Sequence, residues 1–276
     1  MTTASDALRG AGGEPGAVAW LDAGDAADLP VTGLTQAAAR AVLEAALPRV
    51  DVVVQPADLP RAKALLIADM DSTLIQCECI DELADYAGLK PQVAAITAAA
   101  MRGELDFTAA LDARVALLAG MAVGVLDRCR AERVRLMPGA ATLVATMRAR
   151  GARTILVSGG FTAFAGPVGA ELGFDRIVAN TLLVADGRLT GTVARPVVDG
   201  GTKLAELRAA GVPLDQCVAV GDGANDIPML VAAGLGIAYH AKPAAAAAAD
   251  AAVRHGDLTV LLWAQGLRRA QWTVRG

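Results

Sequence analysis

The chain has 276 residues, of which 54% are hydrophobic and 20% charged, and a formal net charge of −4. That length admits one or two domains, at about 100–200 residues each, with apolar residues enough for a sizeable core. An acidic balance without blocks of lysine or arginine argues against a nucleic-acid or membrane-surface partner, since neither polyanion would attract it. No apolar run reaches the ~18 residues of a bilayer span. Met1 to Pro15 lacks a basic segment followed by an apolar one, so no secretory leader is expected and the cytoplasm is the default location. Cys77, Cys79, Cys129 and Cys217 lack zinc-type spacing and read as reduced thiols, while His240 and His255 are isolated. Any metal is therefore expected on oxygen ligands.

Residues 1–15 are rich in Gly, Ala and Ser and read as a mobile end. From 16 to 60 the pattern is that of a small β-α-β extension: a strand at Ala17–Leu21, a helix capped by Thr35 and running to about Leu47, and a β-branched strand at Val50–Val54. Pro56 and Pro60 then mark a linker. Ala64–Ala68 is an apolar run short enough for a fully buried strand, and it ends in Asp69-Met70-Asp71-Ser72-Thr73. Residues 76–138 carry a helical pattern and read as an insertion after this first core strand. A helix over Gly139–Arg150 ends at Gly151. Next comes a second buried strand, Thr154–Val157, which runs into Ser158-Gly159-Gly160.

Asp186-Gly187 between β-rich runs signals a hairpin, expected at the edge of the sheet. A helix over Thr202–Ala210 is followed by a third strand, Cys217–Val220, which feeds Gly221-Asp222-Gly223-Ala224-Asn225-Asp226. Leu235–Ala238 is a fourth strand, and the alanine-rich run 244–252 is a helix former. Strands alternating with helices imply an α/β fold with a doubly wound, mostly parallel, Rossmann-like sheet, whose ligands sit beyond the carboxyl ends of the strands. The core is expected to comprise residues 61–75 and 139–265, with 266–276 as a tail.

The loops after the first three core strands should converge, and together they offer carboxylates, a serine, an asparagine and glycines. Residues at i and i+2 of an extended strand point the same way, so Asp69 and Asp71 can share a pocket. Paired carboxylates suit Mg²⁺ and acid-base work, with Asp69 and Asp222 as the candidate ligands. Gly159 and Gly160 permit close approach of backbone N–H groups to a phosphate, and Ser158 adds a hydroxyl. Lys203, in the first turn of its helix, sits where the helix dipole disfavours a cation; a nearby anion would account for it, as would plain exposure to solvent.

Asp69-x-Asp71-Ser72-Thr73, Ser158-Gly159-Gly160, Lys203 and Gly221 to Asp226, in this order and separation, resemble the four motifs of the haloacid dehalogenase superfamily of phosphotransferases, and the 76–138 insertion is similar to its helical cap. More closely, these motifs with Glu78, Ile80-Asp81-Glu82 and Arg114-Val115-x-Leu117-Leu118 resemble the phosphoserine phosphatases of that superfamily. The resemblance covers about residues 62–260.

It implies hydrolysis of O-phosphoserine, the last step of serine biosynthesis, through an aspartyl-phosphate. Asp69 would be the nucleophile and Asp71 the general acid and base. Mg²⁺ would rest on Asp69, the main-chain carbonyl of Asp71 and Asp222, with Asp226 in support. Ser158, Gly159 and Lys203 would meet the phosphoryl oxygens, and Glu78, Arg114 and Asn225 the rest of the substrate. On a helix over Glu104–Leu118, Phe107, Leu111, Arg114 and Leu118 share one stripe, so the arginine lies among apolar neighbours and wants a carboxylate partner. Two alternatives remain open: the same chemistry on another small phosphate ester, including phosphoryl transfer to homoserine, and a non-catalytic binder of phospho-amino acids. Oligomeric state and the role of residues 1–60 are not set by the sequence.

Overall fold

The computed structural model describes residues 2–101 and 104–274. The amino-terminal unit comprises α1 (Thr2–Gly10), β1 (Glu14–Pro15), β2 (Ala19–Asp22), β3 (Ala26–Asp28), β4 (Val31–Thr32) and α2 (Gln36–Ala46), with β1 antiparallel to β4 and β2 to β3. Two expectations are corrected here. Where a mobile end was expected, α1 places Ala4 and Leu8, four residues apart on one helix face, in the interior. And Val50–Val54 is not a strand: Val52 is buried, but Asp51 accepts backbone hydrogen bonds from Arg254, His255 and Gly256, so the segment is tied to the core through a side chain and not a ladder.

The unit is fastened to the core by further polar ties. Arg40 donates to the carbonyl of Ala246 at 3.1 Å and to that of Ala249. Arg61 holds Asp28 through both terminal nitrogens, at 2.5 and 2.6 Å, and reaches the carbonyls of Trp263 and Ala264.

After β5 (Leu65–Ala68), the chain forms the helical cap: α3 (Cys79–Tyr86), α4 (Lys90–Met101), α5 (Phe107–Ala116) and α6 (Gly124–Arg133). Helix α5 begins at Phe107 and not at Glu104, because the Asp106 carboxylate accepts the N–H of Ala109 and caps it there. The chain returns through α7 (Ala140–Ala149), β6 (Arg153–Phe161), α8 (Thr162–Leu172), β7 (Arg176–Asn180), β8 (Leu182–Ala185), β9 (Arg188–Val193), α9 (Gly200–Ala209) and β10 (Cys217–Gly221). It ends with α10 (Ile227–Ala232), β11 (Leu235–Tyr239), α11 (Pro243–Ala248), β12 (Ala251–Val253) and α12 (Val260–Ala264). Beyond α12, Trp272 stacks at a tilt on Trp263 and Thr273 donates to Thr146, so the described part of the tail is packed down.

The core sheet has six parallel strands in the order β12-β11-β10-β5-β6-β7. Two of them, β7 and β12, lie outside the strands expected from the sequence. The second takes up residues expected to be helical, since alanine's weak helix preference yields when the sheet edge offers a ladder partner in β11. Alternate residues of the central strands feed the two faces: Leu66, Ala68, Leu156, Val218 and Val220 on one, Leu65, Ile67, Ile155, Val157 and Ala219 on the other. The Asp186-Gly187 hairpin forms as expected, with φ of 50° and 71°, but it is a separate two-stranded ribbon and not an edge of the core sheet. Its β9 side is bonded to the cap, Gly120 N–H to Leu189 and Leu189 N–H to Met121.

Candidate active site

Strand β5 lies between β10 and β6, and the chain changes side of the sheet here, building first towards β7 and later towards β12. Such a switch point leaves a crevice at the carboxyl ends of the strands. Asp69 follows directly on β5, Asp222 directly on β10, and Ser158 lies in β6, which continues through Ser158-Gly159-Gly160 with a register shift before Phe161. Asp69, Asp71, Glu78, Arg114, Ser158, Gly159, Asp222 and Asn225 all line one cleft of about 260 Å³, roofed by Phe107 and Leu111 of the cap. Lys203 and Asp226 lie directly behind it, both fully buried.

Lys203 Nζ is 2.6 Å from Asp69 Oδ1 and 2.6 Å from Asp226 Oδ1. The anion that its place in the helix called for is thus a pair of carboxylates. Burial alone would push the lysine pKa down, but the two flanking charges raise it, so it stays an ammonium. Two of its three N–H donors are thus committed to carboxylates, and the lysine the sequence placed on the phosphate stands behind the cleft and not in its lining. The other oxygen of Asp226 accepts the N–H groups of Asp222 and Gly223, at 3.1 and 2.9 Å. Asp226 is therefore fully engaged as a strut. One oxygen each of Asp69 and Asp222 is left without a donor among the described residues.

Asp69, Asp222 and Asp226 bring their oxygens within 4.8 Å of one another. Burial and the charge of Asp226 push the Asp69 pKa well up, and burial raises that of Asp222 as well. So dense a set of carboxylates is held against its own repulsion only in part by lysines, and hard oxygen donors of this kind fit a small divalent cation.

Asp71 differs from Asp69. Burial, and then the negative charge of Glu78, raise its pKa from 3.8 to about 7. One acid of the pair is thus set up to carry a proton near neutral pH, while the other is bonded to an ammonium. Gly160 makes room for it: a Cβ there would lie 2.7 Å from Asp71 Oδ2.

Arg114 Nε donates to the carbonyl of Ala110 at 3.1 Å, and its guanidinium makes no ion pair among the described residues. Burial lowers its pKa while Asp81 and Glu78 raise it, so the free fork sits in a negative field and faces the cleft.

Several positioning residues were not picked out in the sequence. Ser72 adopts a φ of 56°, which a non-glycine residue seldom does, and its Oγ donates to Glu78 Oε1 at 2.9 Å. Asn180 donates to the carbonyl of Gly159 at 2.9 Å and accepts the N–H of Val198 at 2.8 Å, which ties the Ser158-Gly159-Gly160 segment to the chain before α9. Lys242 also reaches the cleft. Only the positive φ of Ser72 had a possible sequence signal, its place between two turn-forming residues; the others are joined to the site across long chain separations.

A family model for haloacid dehalogenase-like hydrolases matches residues 66–231. The chain belongs to this family. It is 49% identical over 253 residues to a phosphoserine phosphatase of Streptomyces coelicolor, an alignment covering 89% of this chain and 62% of the relative. It is 47% identical over 225 residues to a phosphoserine phosphatase of Polaromonas, covering 78% and 95%. Among solved structures, a HAD family hydrolase of Salmonella enterica serovar Typhi superposes with a TM-score of 0.83 at 30% identity, covering 95% of this chain and 93% of that one. The chain thus spans less than two thirds of the Streptomyces relative and nearly all of the Polaromonas one. Among the described residues, no helix is long and apolar enough to cross a membrane.

Proposed function

We propose that this protein is a Mg²⁺-dependent phosphatase that hydrolyses O-phosphoserine to serine and phosphate. The observation that carries the reading is the guanidinium of Arg114, without an ion-pair partner among the described residues, in the same cleft that Asp69, Asp71 and Glu78 line. Phosphoserine presents a phosphate, a carboxylate and an ammonium, and this cleft has a complement for each. The arginine takes the carboxylate through both terminal nitrogens. Glu78, held by Ser72, takes the ammonium. The names carried by relatives at 47–49% identity support the same substrate.

The Asp69 carboxylate attacks phosphorus in line with the seryl oxygen, forming an acyl-phosphate bond as the P–O(serine) bond breaks. A serine alkoxide is a poor leaving group, so the proton of Asp71 passes to it as it departs. Water then enters on the same side, Asp71 takes a proton from it, and attack at phosphorus releases phosphate and restores the Asp69 carboxylate. The hydroxyl of Ser158 and the N–H groups beside Gly159 bear on the phosphoryl oxygens, where charge grows in the transition state. Lys203, bonded to Asp69 Oδ1, favours the ionised form of this carboxylate and holds it in place.

Asp69, Asp222 and the main-chain carbonyl of Asp71 would hold Mg²⁺, braced by Asp226. When bound, the ion supplies positive charge that offsets that of the carboxylates and the phosphate.

The test is phosphate release from phosphoserine, phosphothreonine, sugar phosphates and an aryl phosphate, with Mg²⁺ and with chelator. Preference for phosphoserine that depends on Mg²⁺ is expected. No release from any ester refutes the enzyme, and preference for a sugar phosphate refutes the roles of Glu78 and Arg114.

A further inference from the structure

Lys242 is a cation of the cleft that the mechanism above leaves unused. It follows β11 through His240, whose φ of 43° turns the chain back over the end of β10. The Lys242 backbone N–H donates to the carbonyl of Asp222 at 2.9 Å, and its Nζ lies 3.2 Å from Asp222 Oδ2. One residue therefore grips Asp222 twice, once by the main chain and once by the side chain. The two grips differ in kind. The backbone bond is part of the strand-end architecture, whereas the Lys242 side chain is 65% exposed, so burial does not fix its hold on Asp222.

The other lysine of the site is not available to Asp222. Lys203 is fully buried and divided between Asp69 and Asp226. Asp222 itself is nearly buried, and a carboxylate so placed needs a counter-charge. In the free protein that charge is Lys242. A divalent cation on Asp222 would stand within a few ångströms of the ammonium, where the two repel through little water. The side chain has somewhere to go, because it already lines the cleft that Glu78 also lines.

We infer that Lys242 is a tethered counter-ion of Asp222 that competes with the divalent cation in the free protein and, once displaced, turns its charge to the anionic substrate at the cleft mouth. The inference rests on the cation assignment of the proposed function, but not on the identity of the ester hydrolysed.

The test is Mg²⁺ binding to the full chain by calorimetry, without substrate, in the wild type and in Lys242→Met, Lys242→Arg and Arg114→Met. Removing the competing charge should tighten Mg²⁺ about tenfold in Lys242→Met, while Lys242→Arg, which keeps the charge, stays near the wild type. Arg114→Met measures what the loss of any cation in the cleft does through space, and its effect should be several-fold smaller. Inorganic phosphate titrated into the Mg²⁺-saturated proteins should bind several-fold more weakly to Lys242→Met.

Unchanged or weaker Mg²⁺ binding in Lys242→Met, or a gain no larger than that of Arg114→Met, overturns the competition. Unchanged phosphate affinity overturns the turn to substrate. Absence of Mg²⁺ binding in all four proteins overturns the inference together with the metal assignment, whereas a wild type that binds Mg²⁺ and spares phosphoserine refutes the substrate alone.

Discussion

Replacing Asp71 by Asn isolates the most distinctive electrostatic feature of the site. The carboxyl is nearly isosteric with the amide, so the hydrogen bond from Cys79 N–H, at 3.4 Å, survives on Oδ1. What changes is the titration. In the folded chain the Asp71 pKa stands at about 7, against 3.8 for the ordinary residue. For an acid raised on folding, the penalty is absent below the unfolded pKa, grows as pH rises through it, and levels off above the folded pKa. At 1.36 kcal/mol per pH unit, the wild type carries a cost of about 1.6 kcal/mol at pH 5 and about 4 kcal/mol at pH 8 that the amide escapes. For a chain of this size, 1 kcal/mol is worth roughly 2 °C in Tm, so Asp71→Asn should melt about 3 °C above the wild type at pH 5 and about 8 °C above it at pH 8. The assay is thermal denaturation of both proteins with chelator present, at half-unit steps between these limits. A gap that does not widen with pH would refute the account of Asp71 as an acid held neutral by its surroundings, and with it the source of the proton for the leaving serine.

Gly160→Ala should place a methyl against the Asp71 carboxyl and impair proton donation; turnover of phosphoserine should fall at least tenfold more than that of an aryl phosphate, whose leaving group needs no proton, and equal losses would show mere distortion of the loop. Arg114→Ala should lower kcat/KM for phosphoserine about 10- to 200-fold, the cost of a lost charged hydrogen-bond pair, and leave aryl phosphate turnover within a few-fold, as paired kinetics will show. Asp51→Ala removes the acceptor of the N–H groups of Arg254, His255 and Gly256, which water can partly replace, and should destabilise the chain by about 0.5–1.5 kcal/mol in urea, with amide exchange quickening first after β12; an unchanged midpoint would show that the amino-terminal unit is not fastened there. Lys203→Met leaves two buried carboxylates facing each other and should cost about 3–5 kcal/mol at neutral pH, with recovery on acidification as one of them takes up a proton.

Much of the site was legible because its chemistry is local. An apolar strand ending in Asp69-x-Asp71, a second ending in Ser158-Gly159-Gly160 and a third in Gly221-Asp222 state both the fold class and the place where their loops meet, since parallel strands under helices all end on one side. The period-2 burial that seats these strands, and the Asp-Gly turn between β8 and β9, follow in the same way from short-range sterics.

What the sequence could not determine depends on partners far along the chain. Strand β12 exists because β11 offers its backbone groups, and α1 because α2 covers its apolar face; neither partner can be read from the local residues. The ionisation states belong to the same class. Nothing in Asp69-Met70-Asp71 says how the two acids differ, because the difference comes from Lys203, 134 residues away, bonding to Asp69, and from burial beside Glu78 acting on Asp71. The residue types fixed the kind of chemistry through their local geometry; only the tertiary structure, which sets distance and solvent access between remote charges, gave the two acids different surroundings.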